Sequence, residues 1–474
     1  VSPGNEYLSN VRFDDASDLF RAGTHLNLSR ANFTVEVGGT KFFDDQRLFV
    51  SGPNPGNRRT PLLGETMRLD AAEQRLRVNG SVLFTRLSAL VRPASFLDLA
   101  GQFSFSQPRT DLQFTEAARG LLLDPTTLRS FTGLSGAAGA AALRPRPSGS
   151  LSLELRPLSR LRIIESYYTH RFHLSASSLL TQTLTGVTGL LGTGQPPTVA
   201  LSETGFGIFR TDFNRHQIEA VVEVTPAVSL RGGHRMEWAE AIVPPGLLAT
   251  GQGARFERGK QERQAGLGGM QLRLRKDLNL NLEAEVSSSD SAFFRTSLLD
   301  YQRVKIGARY RPRPWLNASG KFTLLQNSND QRDIGLDSRH HDTSVSVLLA
   351  PKEGRRFSLA LDYAHTVFDS DILVILPPFF ERGRLIYTQD AHFAGAFASL
   401  AVVRGARINF GGTLVVSDGT RPTRFYQPRG NLLVPLGPRL AWFSEWRWYG
   451  FSEERFSFEN FNSHLFSVAL RLTL

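Results

Sequence analysis

The 474-residue sequence contains no cysteine. A disulfide framework, a thiolate zinc site, an iron-sulfur cluster, a cysteine nucleophile and covalent c-type haem attachment are therefore all excluded within this chain. Lysine is scarce: Lys41, Lys260, Lys276, Lys305, Lys321 and Lys352 are six of the 55 cationic residues, which leaves 49 arginines. Guanidinium pairs bidentately with carboxylate or phosphate and tolerates partial burial. The net charge of +11 does not come as a Lys/Arg block or within a nucleic-acid-binding module, so nucleic acid is not expected as a partner. Long apolar runs are missing as well. The longest uncharged stretch, 172–202, is interrupted by Ser175, Ser177, Gln182, Thr185 and Gly189, so no transmembrane helix is expected. Neither a Gly-x-Ser-x-Gly elbow nor a phosphate-binding Gly-Lys-Ser/Thr loop occurs. Of the ten histidines, only His340-His341-Asp342 cluster, and neighbours on a strand face opposite sides, which makes a poor chelate. Neither an enzyme nor a metal site is expected. The opening Val1-Ser2-Pro3-Gly4-Asn5 reads as a mature terminus left by removal of a targeting peptide.

Period-two alternation is what the sequence has in quantity. Leu278, Leu280, Leu282, Ala284 and Val286 alternate with Asn279, Asn281, Glu283 and Glu285. Val304, Ile306, Ala308 and Tyr310 oppose Arg303, Lys305, Arg309 and Arg311, and Phe357, Leu359, Leu361 and Tyr363 oppose Arg356, Ser358, Ala360 and Asp362. Each segment is a strand with one apolar and one wet face. Tight Pro, Gly and Asp turns fall near 158, 226, 277, 313, 352, 404 and 436, and long irregular stretches are expected at about 173–205, 241–258, 288–300, 326–339, 367–384 and 417–424. The irregular turn spacing excludes a propeller or solenoid. Short turns at one end and long loops at the other are the plan of an outer-membrane barrel.

Three features separate this from a soluble all-β protein. The alternation often runs for nine or more residues, enough to cross a membrane when tilted. Trp238, Tyr310, Trp315 and Tyr363 stand on outward registers near strand ends, where an interfacial girdle belongs. The chain ends with Phe466, Val468, Leu470, Leu472 and Leu474 on one face. That ending resembles the insertion signal of bacterial outer-membrane barrels, although their pattern prefers a terminal Phe.

The expected fold is all-β: a transmembrane antiparallel up-and-down β-barrel of about 20 strands, range 18–22, with short periplasmic turns and long extracellular loops. Residues 1–18 would be a periplasmic N-terminal segment and 19–474 a single barrel domain. A barrel this wide must enclose water, a loop or another molecule. Gly133 to Ala142 is small and flexible enough to fold inward or stay mobile. Its wet faces put charges of both signs along the pore, with Arg273, Arg275, Glu283, Glu285, Arg303, Lys305, Arg309, Arg311, Glu445 and Arg447 as the candidate lining.

From about residue 290 onward, Arg309-Tyr310-Arg311-Pro312-Arg313-Pro314-Trp315-Leu316, Asn327-Ser328-Asn329-Asp330 and Arg356-Phe357-Ser358-Leu359-Ala360-Leu361-Asp362-Tyr363 resemble the strand-turn-strand units of barrel subunits in bacterial porin-cytochrome electron conduits. The resemblance implies a porin-like sheath in the outer membrane of a Gram-negative bacterium. Such a sheath insulates a multihaem c-type cytochrome from the surrounding lipid. A cysteine-free sheath binds no haem covalently, so the haem would belong to the partner. The other reading is a diffusion porin or channel for small solutes, with anions favoured by the cations at Arg303, Lys305, Arg309 and Arg311.

Overall fold

The computed structural model describes residues 6–474 except 58–60, 62–63, 125–128, 188–197, 244–256, 294–295, 332–333, 352–355, 377–380, 403–404, 456–458 and 473–474. The alternating segments form one antiparallel up-and-down sheet of twenty strands. The first ten are β1 (Asn10–Leu28), β2 (Ala31–Asn54), β3 (Arg68–Ala94), β4 (Leu97–Asp124), β5 (Arg129–Leu143), β6 (Arg146–Leu158), β7 (Leu161–Thr185), β8 (Thr198–Thr225), β9 (Val228–Val243) and β10 (Glu257–Arg275). The rest are β11 (Leu278–Ser289), β12 (Asp300–Arg313), β13 (Leu316–Asn329), β14 (Leu336–Leu349), β15 (Phe357–Leu376), β16 (Glu381–Ala401), β17 (Arg407–Gly419), β18 (Thr423–Pro435), β19 (Leu440–Glu453) and β20 (Phe461–Leu472). Among the described residues, no helix is long and apolar enough to cross a membrane. Among the described residues the short turns fall where Pro, Gly and Asp foretold them; those expected near 352 and 404 lie outside the described residues. β8 and β9 are joined through Pro226-Ala227, and β10 and β11 through Lys276-Asp277.

Several stretches expected to be loops are strand. Residues 173–185 extend β7, 198–205 open β8, and 367–376 extend β15. The small-residue stretch Gly133 to Ala142 lies in β5, with Arg109–Arg119 of β4 on one side and Ser175–Thr185 of β7 on the other. Side chains this small carry no alternation signal, but the backbone pairs along both edges, and that pairing holds the strand. β5 and β6 lie end to end between β4 and β7, interrupted at Arg144-Pro145. Pro145 and Pro147 have no N–H to donate. The junction is kept in line by Arg144 N–H donating to the Pro108 carbonyl (2.9 Å) and His173 N–H to the Pro145 carbonyl (3.3 Å). The twenty strands thus occupy nineteen positions, one fewer than their number.

The chain divides into two compact units. The first comprises 1–153, 166–215 and 239–260 and contains the long strands β2, β3 and β4, of 24, 27 and 28 residues. At their ends remote from the short turns, Val50, Leu69, Leu122, Phe131 and Val187 form a buried apolar cluster. The second comprises 154–165, 216–238 and 261–474. Its strands β11 to β14 and β17 to β20 have 12 to 14 residues. One face of this unit is broadly apolar and exposed, including Ile306, Val345, Leu361, Phe410, Leu414 and Trp442. On the same face the Tyr426 ring of β18 lies over Gly450 of β19, where an added Cβ would be 2.0 Å from the ring. The first described strand begins at Asn10, ahead of the boundary at 18 drawn from the alternation.

Candidate functional site on the polar face

The registers of the second unit carry the wet residues onto one face. Glu285 pairs with Arg303, Arg303 with Leu325, Leu325 with His340 and His340 with Phe368, so these five share a face. The densest chemistry there is an ionic patch on β9 to β12. Glu285 is 6% exposed and accepts hydrogen bonds from Arg235, Arg303 and the Tyr301 hydroxyl. Arg235 also donates to the Tyr301 oxygen (2.8 Å) and pairs with Glu237 (3.1 Å). Glu237 in turn pairs with Arg263 (3.1 Å), whose guanidinium lies 5.7 Å over the Tyr301 ring. A second pair, Arg231 with Glu219, continues the patch onto β8. Buried carboxylates and guanidinia in alternation neutralise one another and leave no lone buried charge, which would be costly.

The patch also anchors a connection. Arg263 donates to the Leu298 carbonyl, the Leu299 N–H donates to the Asn327 side chain (2.8 Å), and the Asn327 amide donates to the Ser297 carbonyl (3.4 Å). Leu299 is buried in consequence. Residues 297–299 between β11 and β12 are therefore held against the polar face by side chains of two strands, Arg263 of β10 and Asn327 of β13.

The ten candidate lining residues separate into groups. Glu285 and Arg303 are in the patch, with Glu283 and Lys305 beside them, and Glu283 accepts from Asn281 (3.0 Å). Arg273 pairs with Asn279 and Arg309 with Ser319, both on the polar register. Arg275 does not join them: a bulge after Arg273 sets it opposite Leu278, a residue of the apolar face, and its Nε meets Asp277 (3.2 Å). Arg311 stands in the irregularity between Tyr310 and Arg313, its N–H donating to the Asp277 carbonyl (2.7 Å). Arg275 and Arg311 thus mark the short-turn rim. Glu445 and Arg447 pair with each other on β19 (2.9 Å). Arg263, Tyr301 and Glu219 escaped the sequence reading. Extending the odd-numbered register back from Arg303 reaches Tyr301, but nothing in the sequence pairs Arg263 with Glu237.

The polar face is not uniformly wet. Phe393, Phe397, Phe425 and Phe451 stand on its registers. Phe397 lies under Arg429 (4.5 Å), Phe451 stacks on Phe461 (5.9 Å), and Phe368 contacts His340 (6.1 Å) and Tyr387 (5.9 Å). On the opposite face Tyr310, Trp315 and Tyr363 are 39, 39 and 43% exposed, and Trp238 is half-buried. Phe466, Val468, Leu470 and Leu472 are strongly exposed on β20, whereas Leu474 lies outside the described residues. His340 and His341 face opposite ways, toward Phe368 and Phe322 respectively, and do not form a joint site.

No protein-family model and no curated protein matches the sequence. Solved structures do match in fold. The siderophore receptor PiuA from Acinetobacter baumannii superposes with a TM-score of 0.56 at 9% identity, over 97% of this chain and 79% of the receptor. The ferric-catecholate import receptor Fiu from K12 E. coli, in its closed form, gives 0.53 at 10% identity over 99% and 82%. The RagAB peptide transporter gives 0.51 at 7% identity over 87% and 62%. At such identities the likeness is one of fold. The chain has the antiparallel up-and-down fold of outer-membrane β-barrels, in which the apolar face meets lipid and the polar face lines the lumen.

Proposed function

We propose that this chain is an integral barrel of the bacterial outer membrane, exported with a signal peptide that is then removed, and that its lumen sheathes a multihaem c-type cytochrome. One observation carries the reading. The lumen face combines Phe393, Phe397, Phe425 and Phe451 with the Arg/Glu patch around Glu285. Water gains nothing from contact with apolar rings, whereas rings beside paired charges match the mixed surface of a protein seated inside. The haem resides on the partner, and the barrel contributes insulation and position. The short turns face the periplasm, and residues 10–18, as the first half of β1, belong to the barrel wall and not to a separate periplasmic segment.

The second reading is a diffusion channel that favours anions, supported by Lys305 and Arg309 on the lumen register beyond the neutralised patch. Gentle purification from native membranes followed by an absorbance spectrum and a planar-bilayer recording separates the two. A sheath co-purifies with stoichiometric haem and conducts poorly until the partner is removed. Free conductance without haem absorbance overturns it. In that case Arg303→Glu with Arg309→Glu abolishes anion preference if the channel reading is right, and unchanged selectivity eliminates that reading too.

A further inference from the structure

His365, Asp390 and His392 come together on the apolar-face side of β15 and β16. His365 and His392 are direct cross-strand partners, and Asp390 is two residues from His392 on the same face. Their ligating atoms all lie within 4.8 Å of one another. The two imidazoles stack at 4.4 Å with an interplanar angle of 3°, which turns both Nε2 atoms toward one carboxylate oxygen. His365 Nε2 is 2.7 Å and His392 Nε2 3.5 Å from Asp390 Oδ1. The Tyr363 hydroxyl is 2.9 Å from His392 Nδ1. Its oxygen can accept a hydrogen bond from Nδ1–H, which leaves the Nε2 lone pair free, the arrangement of an outer partner behind a metal-bound histidine.

We propose that these three side chains bind a divalent transition-metal ion, zinc or copper by donor type, with the remaining coordination positions open to water. Two imidazole nitrogens and one carboxylate oxygen suit such an ion. Tetrahedral zinc at roughly 2.0–2.1 Å places its donors about 3.3 Å apart. The observed separations bracket that value, so small side-chain rotations close the site. A plain ion pair would use one histidine; this cluster aims two at one carboxylate.

The location gives the ion a task. Along β15 the outward register runs Phe357, Leu359, Leu361 and Tyr363, then His365 and Val367, and then Asp369 and Asp371. The site therefore begins where apolar residues give way to charge, on the water side of Tyr363. β14 supports β15 only as far as Asp371, and β17 reaches β16 only from Gln389. Beyond those limits the regular pairing with β14 and β17 gives way to single contacts, Leu373 N–H to the Ile334 carbonyl (2.9 Å) and Thr388 N–H to the Thr420 hydroxyl (2.8 Å), while β15 and β16 stay paired as far as Leu376 with Glu381. A bound ion would cross-link the two strands at the root of this projection.

The test is zinc titration of the tag-free, full-length, detergent-folded chain by calorimetry, with copper(II) electron paramagnetic resonance on the same sample. One ion per chain at about micromolar affinity is expected, with hyperfine coupling to two nitrogens. Asp390→Asn should weaken binding by at least about 10-fold, and His365→Ala with His392→Ala should abolish it. His341→Ala, which removes a neighbouring outward histidine, should leave it unchanged. Heat-dependent gel mobility verifies that each variant is folded, and His392→Gln replaces the alanine variant if that one is not. Absence of saturable uptake overturns the proposal. So does uptake that survives the double substitution, or that falls equally with His341→Ala.

Discussion

Three adjacent strands of the first unit and most strands of the second differ about twofold in length. β2, β3 and β4 run for 24 to 28 residues and β11 to β14 for 12 to 14. A tilted strand needs only about 9–11 residues to cross the hydrocarbon layer, so the shorter strands are matched to the membrane and the longer ones outrun it. The chemistry changes where they leave it. On β2 the outward register begins Phe33, Val35, Val37 and later becomes Asp45 and Arg47, while the inward register begins Thr34, Glu36 and ends at buried Val50. Asp45 gathers Arg47, Arg75 and Arg77 on the outward side, and Val50 joins Leu69, Leu122, Phe131 and Val187 on the other. Lipid outside and water inside give way to water outside and a small dry core inside. The first unit carries this exchange of faces across several strands. In the second, Ile372 of β15 is buried on the inward register, with Leu336 of the adjacent β14.

Four substitutions probe the contrast. Phe131→Ala should have the largest effect, about 3–4 kcal/mol from the cavity it leaves, and the loss should be local. Limited proteolysis should cut the projecting ends of β2 to β5 while β11 to β14 stay protected. Uniform loss of protection would mean that the projection and the membrane wall are one cooperative structure. Glu285→Ala follows, at about 3 kcal/mol, because Arg235 and Arg303 lose their shared carboxylate. Urea unfolding of the lipid-refolded chain measures it, and Arg303→Ala on the Glu285→Ala background should cost less than it does alone. Gly419→Ala should cost about 1–3 kcal/mol, since Gly419 has φ of 109° and an added Cβ would stand 2.3 Å from the Thr388 carbonyl oxygen. The same unfolding curves report it. Arg109→Ala should be nearly silent, within about 0.5 kcal/mol, because its pair with Asp111 is exposed on both sides.

The sequence made the fold visible wherever neighbouring side chains differ in polarity. Phe357 to Tyr363 and Leu278 to Val286 display their two faces directly. β5 hid because Gly, Ala and Ser offer no contrast, and its pairing is a property of the backbone. Residues 173–185 and 198–205 hid because Ser and Thr strands facing water look like loops. The candidate site was legible as a face and illegible as pairs. Glu285 and Arg303 both stand on the wet register, but their opposition depends on the register set by the connection between β11 and β12. One bulge moved Arg275 off the polar register altogether. His365 and His392 are far apart in sequence, and only the β15–β16 register makes them neighbours. Adjacent His340 and His341 were easy to notice, and strand geometry separates them.

Gly450 beneath the Tyr426 ring bears on how the wall is assembled. A sheet whose side chains repeat every two residues has many nearly equivalent alignments, each offset by one repeat. Sliding β19 by one repeat in either direction would bring Trp448 or Ser452 to the place under that ring, where there is room for a hydrogen and nothing more. The glycine thus works as an index mark, a notch that a ring can enter at one setting only. A chain threading itself into lipid can use it to reject a misaligned hairpin before the next strand is laid down.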